Sequence, residues 1–361
     1  MSNADLIFSK TCKDILLNGV STEGYPCRTK WVDTGEDDAY TIKKFGVVNE
    51  YDLSEEFPAL TLRKTNIKAA IDEILWIYQK RSNNTSLLNS KIWDQWTDES
   101  GTIGKAYGYQ IAKLSLIEVV KLKNYIEIGN VTLGDNYHFM SSFIDEKGVY
   151  NLNVFYDESM ITTAKEKMIF VNKDYDRYKL SKIDTKMKIN MYADQINYVL
   201  YQLRHNPLSR RIMMNMYNHE DSYYMMLQPC AYSCLFNVTP YTDDDGKTTF
   251  ILDMILNQRS QDMLVAGNWN VVQYAALLMM IAHTVDMVPG KLIHVIGDCH
   301  IYDRHVPVIK QMLDPECYFY EAPKVRFVPG GCKNFFQYTT DMFVVDNYKY
   351  HDDIKNIPVA K

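Results

Sequence analysis

The stretch VVQYAALLMMIAHTV, residues Val271–Val285, is the most apolar helical stretch of the chain and predicts a central helix. The dipeptide Pro289-Gly290 follows it and interrupts the helical pattern. A second apolar run, Leu292–Ile296, is rich in β-branched side chains, which is typical of a buried strand. This succession predicts that a helix and a strand lie together at the centre of the fold.

The segments on either side of this core extend it into a fold of class α+β, with a mixed sheet and packed helices. The predicted elements are the helices Asn66–Lys80 and Asp194–Arg204, the strands Arg211–Met216, Ala231–Val238 and Thr248–Leu256, and a hairpin turn at Asp243–Gly246. Residues 113–192 differ in texture, because apolar and polar residues alternate there before a stretch that is rich in Lys and Asp. We interpret residues 113–192 as a mostly β insertion of unknown role.

The composition of the 361 residues argues against several classes of protein. Lys and Arg total 39 against 45 for Asp and Glu, and the net charge of −6 provides no basic field for nucleic acid or an anionic membrane. The longest apolar stretch, Ala275–Ala282, is too short to span a bilayer, and the N-terminus lacks the pattern of a signal peptide. Seven cysteines without regular spacing indicate reduced thiols, so we expect a cytoplasmic protein without a disulfide framework or a bound metal.

Cys230 is the candidate nucleophile, although a free cysteine is more often a small buried hydrophobe. A reactive thiol needs cations nearby that favour the thiolate, and arginines beside hydroxyl side chains also suit the binding of phosphate oxygens. The candidate cations are Arg210, Arg211, Arg259 with its neighbour Ser260 and, more weakly, Arg28. Taken alone, such arginines are more often found in surface salt bridges.

Three other groups of residues are candidates for chemistry. Glu73 lies on the apolar face of the helix Asn66–Lys80, where a carboxylate either gains a raised pKa suited to acid–base catalysis or edges towards solvent. His300 and Tyr302 follow the buried strand with alternate spacing, so we expect both side chains to point into one pocket, although a lone histidine is more often structural. The aromatic residues that either stack on a planar ligand or form core are Trp93, Trp96, Tyr107 and Tyr109.

In their order along the chain, these segments resemble the thymidylate synthase family. The motifs that carry the resemblance are ALTLRK (Ala59–Lys64), EILWIYQ (Glu73–Gln79), IWDQW (Ile92–Trp96), AYGYQ (Ala106–Gln110), NPLSRR (Asn206–Arg211), QPCAY (Gln228–Tyr232), QRSQDM (Gln258–Met263), NVVQYAALLMMIAH (Asn270–His283) and GDCHIYDRH (Gly297–His305). Two motifs look most like the divergent Bacillus-phage branch, namely RTKW at Arg28–Trp31 and GDCHIY at Gly297–Tyr302. The motif PVA at Pro358–Ala360 resembles the family's ending. The resemblance covers roughly residues 10–112 and 193–361, and it implies a three-layer fold and a single catalytic domain, residues 1–361, that contains the insertion.

The resemblance implies a role for each candidate residue. Cys230 corresponds to the nucleophile that adds to C6 of dUMP, and Glu73 corresponds to the buried carboxylate that handles proton transfers. Asn270 corresponds to the amide that pairs with the uracil edge, and it points to dUMP because relatives that act on cytosine carry Asp there. The implied phosphate ligands are Arg28, Arg259 and Ser260, with Arg210 and Arg211 from the neighbouring subunit, and the implied deoxyribose ligands are His300 and Tyr302.

A folate and a second subunit are also implied by the resemblance. The one-carbon donor is 5,10-methylenetetrahydrofolate, and no metal is required. The residues expected at the folate and proton-removal sites are Trp93, Trp96, Tyr107, Asp262, Trp269 and Ala360, of which Tyr107 and Asp262 are also expected to act in catalysis. Arginines that reach a neighbouring site imply an obligate symmetric homodimer. The abundance of Tyr, Asn and Lys fits a phage-like origin and hence the cytoplasm of a host cell.

One motif departs from the family pattern and bears on the product. The usual L-G-x-P-F-N reads VAGNWN at Val265–Asn270, and the chain ends in Lys361 where an apolar residue is usual. Asn268 and Trp269 add polar groups that we expect to hold a water, and water that reaches the C5 methylene before hydride does yields 5-hydroxymethyl-dUMP. We therefore favour a deoxyuridylate hydroxymethyltransferase, with thymidylate synthase proper, which forms dTMP and dihydrofolate, as the alternative. A third hypothesis, a non-catalytic relative that binds nucleotide or mRNA, is disfavoured by the intact Cys230 and Glu73.

Overall fold

The structure is a computed structural model, and it describes residues 2–122, 132–133, 137–147, 149–158, 169–170, 187–314, 319–329, 331, 333–351, 354 and 356–361. Its helices are α1 (Asn3–Asn18), α2 (Ile67–Tyr78), α3 (Gly108–Ile111), α4 (Gln195–His205), α5 (Trp269–Thr284) and α6 (Val306–Met312). Its strands are β1 (Val20–Ser21), β2 (Thr41–Asp52), β3 (Ser115–Leu122), β4 (Thr132–Leu133), β5 (Tyr137–Ile144), β6 (Tyr150–Tyr156), β7 (Ile169–Phe170), β8 (Met187–Ala193), β9 (Met213–Asn215), β10 (Ala231–Thr242), β11 (Thr248–Asp262), β12 (Val288–Tyr302), β13 (Lys324–Phe327) and β14 (Phe343–Asp346). None of the described helices is long and apolar enough to cross a membrane.

A six-stranded mixed sheet forms the middle of the molecule, in the order β1-β2-β12-β11-β10-β9. β11 and β12 run parallel, whereas the other neighbouring pairs are antiparallel. α1 and α5 pack against this sheet, and α2 packs on α5. Because α5 lies between the sheet and α2, it is buried on nearly all sides, which explains its uniformly apolar sequence. The predicted α+β class and the central helix are thereby confirmed.

The ends of the predicted helices are set by side-chain caps. Asn66 caps α2, since its Oδ1 accepts a hydrogen bond from the backbone N–H of Ala69 at 3.2 Å. Asp194 caps α4 in the same way, with its Oδ1 2.9 Å from the backbone nitrogen of Asn197. Both residues were predicted as the first of their helices, and each in fact lies one position before the first helical residue.

The predicted strands are present, but their ends differ from the prediction. β10, β11 and β12 run further than the predicted 231–238, 248–256 and 292–296, while β9 is shorter than the predicted 211–216. The predicted hairpin turn joins β10 to β11, with the N–H of Gly246 donating to the carbonyl of Asp243 at 3.0 Å. Gly246 has a φ of +77°, a conformation that favours glycine.

Pro289 and Gly290 belong to β12, although the sequence predicted that they interrupt the chain between helix and strand. The pairing of β12 with β11 shifts register between Leu252 and Met254, so this part of the strand is irregular. A Cβ atom on Gly290 would lie 2.3 Å from Oδ1 of Asp253, so a larger residue would require this side chain to move. The strand therefore begins before the predicted Leu292, because these two residues lie in a bulge at its start.

The segment 113–192 forms a sheet of its own in its described parts. The order is β3-β8-β6-β5, so the predicted β character is found, while most of the stretch 165–188 that is rich in Lys and Asp lies outside the described residues. Glu158 ties this segment to α4: its backbone N–H donates to Oδ1 of Asn197, and its carboxylate accepts from Nε of Arg204, both at 2.8 Å. That residues 113–192 are an inserted subdomain of a single catalytic domain stays a proposal.

The strand directions bring the candidate residues to one edge of the central sheet. Antiparallel β10 begins where β11 ends, and the parallel β12 ends at the same edge as β11. Cys230 immediately precedes β10, and Asp262 pairs with His300 across the ends of β11 and β12. Three widely separated motifs of the sequence therefore meet at this edge.

Candidate active site

Cys230 lies beside a guanidinium group at the start of β10. Nη2 of Arg259 is 3.7 Å from its Sγ, and the Arg259 backbone N–H donates to the Cys230 carbonyl at 2.9 Å. The same guanidinium donates to the carbonyls of Gln228 and Pro229, which holds it in place. Burial raises the pKa of the Cys230 thiol, and the charge of Arg259 opposes this effect. The thiol is therefore protonated at neutral pH in the free protein, with one cation already positioned for the thiolate.

Tyr107 supports Cys230 from the other side. Its hydroxyl oxygen accepts a hydrogen bond from the Cys230 backbone N–H at 3.2 Å. Tyr107 has a φ of +48°, which is strained for a side chain of this size. A Cβ atom on the next residue, Gly108, would lie 2.1 Å from the carbonyl oxygen of Ser82, so the AYGYQ motif needs glycine here. The backbone thus holds the phenol against the nucleophile.

Glu73 is buried between two indole rings. Nε1 of Trp93 donates to Oε1 at 3.0 Å, and Nε1 of Trp269 donates to Oε2 at 2.7 Å. The residue is only 5% exposed, so the alternative in which it edges towards solvent is wrong. Burial raises the pKa of Glu73 to about 7, although both indole N–H groups favour the charged form. A carboxyl group of this kind gives and takes protons at neutral pH.

His300 and Tyr302 lie next to each other, as their alternate spacing predicted. Their ring centroids are 5.0 Å apart, and Nδ1 of His300 is 2.9 Å from Oδ1 of Asp298. The other oxygen of Asp298 accepts from Nζ of Lys43 at 2.7 Å. The carboxylate therefore orients the ring of His300 through Nδ1 and leaves Nε2 for a hydrogen bond with a ligand hydroxyl. Burial raises the pKa of Tyr302 to about 12, so this phenol stays neutral.

Asp262 is a second carboxylate at the same edge, and it is half-buried. Its Oδ1 accepts from the backbone N–H groups of Leu264 and Val265, at 2.8 and 3.1 Å. Nδ1 of His305 lies 3.5 Å from the same oxygen. Burial raises the pKa of Asp262, but the hydrogen bond and charge of His305 outweigh it, so the pKa lies below the ordinary value. Asp262 is thus a permanent anion at neutral pH.

Comparison with known proteins gives this arrangement a family. The family model described as thymidylate synthase matches residues 6–360. Proteins named thymidylate synthase from Bacillus licheniformis and from Bacillus phage phi3T are each 32% identical over 357 residues, which cover 98% of both chains. The solved structure of a thermostable thymidylate synthase A from Bacillus subtilis is similar with a TM-score of 0.69 and 30% identity, over 99% of both chains.

The chain belongs to the thymidylate synthase family. The predicted family and fold are thereby confirmed. The expectation of a one-carbon transferase whose co-substrate is 5,10-methylenetetrahydrofolate is also confirmed. The described residues contain no cluster of His, Cys, Asp or Glu that could hold a metal ion.

The unusual NWN segment of this family member has its polar groups occupied. Asn268 is buried, and its Oδ1 accepts from the Leu60 backbone N–H at 3.0 Å and from Oγ1 of Thr65 at 3.1 Å. Its Nδ2 donates to the carbonyl of Pro58 at 2.9 Å. The indole N–H of Trp269 is bound to Glu73. Both side chains therefore have protein partners, which weakens the prediction that they hold a water.

The C-terminal tail of this thymidylate synthase family member closes one side of the site. Ala360 pairs with Trp31, and Nζ of Lys361 donates to the carbonyl of Gln95 at 2.9 Å, 5.9 Å from the ring of Trp96. Trp96 packs edge-on against Trp93, with 5.7 Å between the ring centroids. Tyr109, in contrast, is 37% exposed and lies on the surface beside two lysines. The expected folate side thus has an aromatic wall of two tryptophans with the tail against it.

In the described part of the chain, the remaining predicted phosphate ligands make no hydrogen bond with Cys230. Arg28, Arg210 and Arg211 are exposed, and Ser260 is half-buried on β11. The cation that contacts the thiol is Arg259. The phosphate-binding roles predicted for Arg28, Arg210, Arg211 and Ser260 stay predictions.

Two buried polar residues at the site were missed by the sequence analysis. Gln273 is 1% exposed, and its Oε1 accepts from Nδ2 of Asn270 at 2.9 Å, while the same side chain favours the charged form of Glu73. His305 contacts Asp262 and is fully buried. A glutamine three residues after Asn270 in an apolar helix was the available signal for the first. The end of the GDCHIYDRH motif was the signal for the second.

Proposed function

We propose that the protein is a thymidylate synthase that converts dUMP and 5,10-methylenetetrahydrofolate to dTMP and dihydrofolate. The observation that carries the proposal is the pair of Cys230 and Arg259 at the sheet edge, with Glu73 in the same site. The full-length similarity to Bacillus proteins named thymidylate synthase supports it. A cysteine nucleophile, a cation beside it and a carboxyl group with a pKa of about 7 are what addition to a pyrimidine ring requires.

The first step in this proposal is addition of the Cys230 thiolate to C6 of dUMP, which makes C5 nucleophilic. The Arg259 guanidinium stabilises the thiolate, and the thiol proton leaves through water. C5 then bonds to the methylene carbon of the folate and loses its proton, with Glu73 as the group that holds and moves protons. The bond between the methylene carbon and the folate nitrogen then breaks, which leaves a methylene group on C5 and frees tetrahydrofolate. Tetrahydrofolate donates a hydride to this methylene group, the Cys230–C6 bond breaks, and dTMP and dihydrofolate result.

The other site residues follow the roles that the family resemblance implies. Asn270 pairs with the uracil edge. Gln273 sets the orientation of the Asn270 amide, because Oε1 of Gln273 accepts a hydrogen bond that only Nδ2 of Asn270 can donate. His300 and Tyr302 bind the deoxyribose hydroxyl. The expected phosphate ligands are Arg28, Arg259 and Ser260, and the expected folate contacts are Trp93, Trp96, Asp262, Trp269 and Ala360, with Tyr107 assisting proton removal.

A hydroxymethyltransferase, which the sequence favoured, is the second candidate and has less support. Its basis was an ordered water held by Asn268 and Trp269, and these groups bind Pro58, Leu60, Thr65 and Glu73 instead. The relatives carry the name thymidylate synthase. The synthase is therefore the better proposal.

Mass analysis of the nucleotide product tests the proposal. The purified protein is incubated with dUMP and methylenetetrahydrofolate, and dTMP with an equal amount of dihydrofolate is the expected result. A product heavier than dTMP by one oxygen, with tetrahydrofolate unoxidised, would establish the hydroxymethyltransferase instead. Cys230→Ser is the control and should be inactive. A Cys230→Ser protein that keeps all biological activity would support a non-catalytic role.

The choice of base has its own test. With Asn270 the protein should prefer dUMP, and dCMP turnover at comparable efficiency would contradict the assignment. Asn270→Asp should shift the preference towards dCMP, because a carboxyl group pairs with the amino group of cytosine. An unchanged preference would count against the proposed pairing.

A symmetric homodimer is the proposed assembly. On the sheet face opposite the helices, Leu235 pairs with Met213 and Ile255, and Ile255 pairs with Ile293. Leu235 and Met213 are 36% and 45% exposed, and Phe45 on the same sheet is 88% exposed. An apolar face of this extent favours a protein partner, and a second copy would bring Arg210 and Arg211, just before β9, near a neighbouring site.

Complementation tests the shared site. Cys230→Ser and Arg210→Ala/Arg211→Ala proteins are each expected to be inactive. Co-expressed, they should form mixed dimers with one intact site, giving about a quarter of wild-type activity if subunits associate at random in a two-fold assembly. A mixture without activity, or a monomer in sedimentation, would contradict the proposal. The cytoplasmic location, in a host cell for a phage protein, stays a prediction from the sequence.

A further inference from the structure

We propose that His305, in its doubly protonated form, is a positioning residue that joins Asp262 to the C-terminal tail and so holds the folate side of the site closed. The consequence for catalysis rests on the proposed function. The link between the histidine and the tail does not, since it follows from contacts within this chain.

The two ring nitrogens of His305 face two acceptors. Nε2 is 2.8 Å from the carbonyl oxygen of Pro358, and Nδ1 is 3.5 Å from Oδ1 of Asp262. A carbonyl oxygen only accepts, so Nε2 carries a proton in every state that makes this bond. The neutral ring would then turn the lone pair of Nδ1 towards a carboxylate. The protonated ring instead offers an N–H to each acceptor, which makes it the form that fits this position.

The surroundings of His305 support the charged form. The ring is 0% exposed and packs edge-on against Trp31 and Tyr302, at centroid distances of 5.5 Å for both. The titratable groups that face it are Asp262, Asp303 and the neutral phenol of Tyr302. Arg304 lies over the ring of Trp31 and is paired with Asp33 and Asp37.

The charge balance around the ring follows from these neighbours. Burial lowers the pKa of His305, but Asp262, the Pro358 carbonyl and Asp303 outweigh this effect, and the pKa is raised. The partner carboxyl of Asp262 has a lowered pKa, as expected for a charged pair. The two directions agree, and both favour the ionised pair.

The hydrogen bond between His305 and the Pro358 carbonyl lies at the start of the C-terminal tail, residues 358–361. Beyond it the backbone of Val359 accepts from Val32, and Lys30 and Lys361 exchange two hydrogen bonds of 2.8 Å. Lys361 then contacts Gln95 in the tryptophan-containing loop. The histidine therefore connects Asp262, where the folate is expected, to the segment that covers it. Loss of the proton on Nδ1 would weaken this connection without touching the substrates directly.

Two substitutions separate the charge of His305 from its hydrogen bond. In His305→Gln the amide N–H can still donate to Pro358, but the charge is gone, whereas the shorter side chain of His305→Asn can face Asp262 but does not reach Pro358. His219→Gln removes an exposed histidine elsewhere and serves as the matched control. All three are compared with wild type in the full-length protein.

The first measurement is release of Lys361 by carboxypeptidase B between pH 5.5 and 9, divided by release from the peptide NIPVAK. In wild type and His219→Gln the tail should be protected at low pH and lose protection as pH rises through the raised pKa of His305. His305→Gln and His305→Asn should release Lys361 faster and without this pH dependence. Wild-type protection that does not change with pH, or a His305→Gln profile equal to wild type, would overturn the proposal.

The second measurement is kinetic and the third needs no variant. We expect His305→Gln to raise KM for methylenetetrahydrofolate about 10-fold, with a smaller change in kcat, because the charged contact between the ring and Asp262 is lost. In ¹⁵N-labelled wild type, NMR should report both His305 nitrogens protonated at pH 7, even if the variants do not fold. A neutral ring at pH 7 would refute the proposal. Absence of dTMP formation alongside pH-dependent tail protection would refute only the proposed function.

Discussion

Glu73 is a buried carboxylate and Asp262 a half-buried carboxylate of one site, and their surroundings shift their pKa values in opposite directions. Glu73 accepts from two indole N–H groups, and burial raises its pKa to about 7. Asp262 accepts from two backbone N–H groups and lies 3.5 Å from the ring of His305, and its pKa is lowered despite burial. The difference between them is the nearby imidazolium.

This comparison shows what each carboxylate is suited to do. Neutral donors offset only part of the free energy that is lost when a carboxylate leaves water, so Glu73 remains able to bind a proton at neutral pH. A cationic neighbour offsets more of it, so Asp262 stays charged and can accept hydrogen bonds from a ligand. Pairs of carboxyl groups that are separated in this way are typical of sites with one acid–base residue and one electrostatic residue.

The substitution Glu73→Gln should have the largest effect on activity. This substitution should lower kcat by about 10²- to 10⁴-fold, the usual contribution of general acid–base catalysis. The pH–rate profile of wild type should have a limb near pH 7 that the variant lacks. Steady-state kinetics between pH 5.5 and 9 measure both. Retention of the limb in Glu73→Gln would assign it to another group.

Stability should depend on pH through the same residue. The folded-state pKa of Glu73 is above the ordinary value of 4.5, so the folded state binds this proton more tightly than the unfolded state does. The free energy of unfolding of wild type should therefore fall, relative to Glu73→Gln, by about 3 kcal/mol as pH rises from 4.5 through 7. Urea unfolding of both proteins at several pH values measures this. A constant difference would show that the pKa of Glu73 is not raised.

Asp262→Asn tests the other carboxylate. Loss of a charged acceptor should raise KM for methylenetetrahydrofolate by roughly 10- to 100-fold, while the limb near pH 7 stays where it is. The asparagine Oδ1 can still accept from Leu264 and Val265, so the fold should persist. Movement of the limb in this variant would mean that Asp262, and not only Glu73, exchanges protons in the reaction.

The substitution Trp269→Phe should have the smallest effect, a shift in the pH dependence of the rate. It removes one of the two indole donors of Glu73 while keeping an aromatic ring, so the limb near pH 7 should move up by about one pH unit. Trp96→Phe is the matched control, since no hydrogen bond from Trp96 to Glu73 is present, and it should leave the limb unchanged. An equal shift in both variants would show that ring packing, and not the N–H group, controls the pKa.

Much of the fold was predictable because its signals are local. The apolar run of α5 and the capping residues Asn66 and Asp194 located helices closely. The full length of β12 was not predictable, because Pro289 and Gly290 act there as a bulge that depends on pairing with β11. Local patterns do not report such pairing.

The candidate site was predicted in part for the same reason. The burial of Glu73 followed from its position on an apolar helix face, and the closeness of His300 and Tyr302 followed from strand alternation. The partners of Asn268 were not predictable, since they come from residues 58–65, some 200 positions away. His305 was missed because its two acceptors are distant in sequence from each other.

Trapping of the nucleotide on the enzyme tests the central claim most directly. In 5-fluoro-dUMP the C5 position carries fluorine, which is not lost as a proton, so the reaction should stop with the nucleotide and the folate bound to the nucleophile. Digestion and mass spectrometry should find both on the peptide that contains Cys230, and Cys230→Ser should give no adduct. An adduct on Cys234 or on another residue, or no adduct with an active wild-type enzyme, would contradict the account.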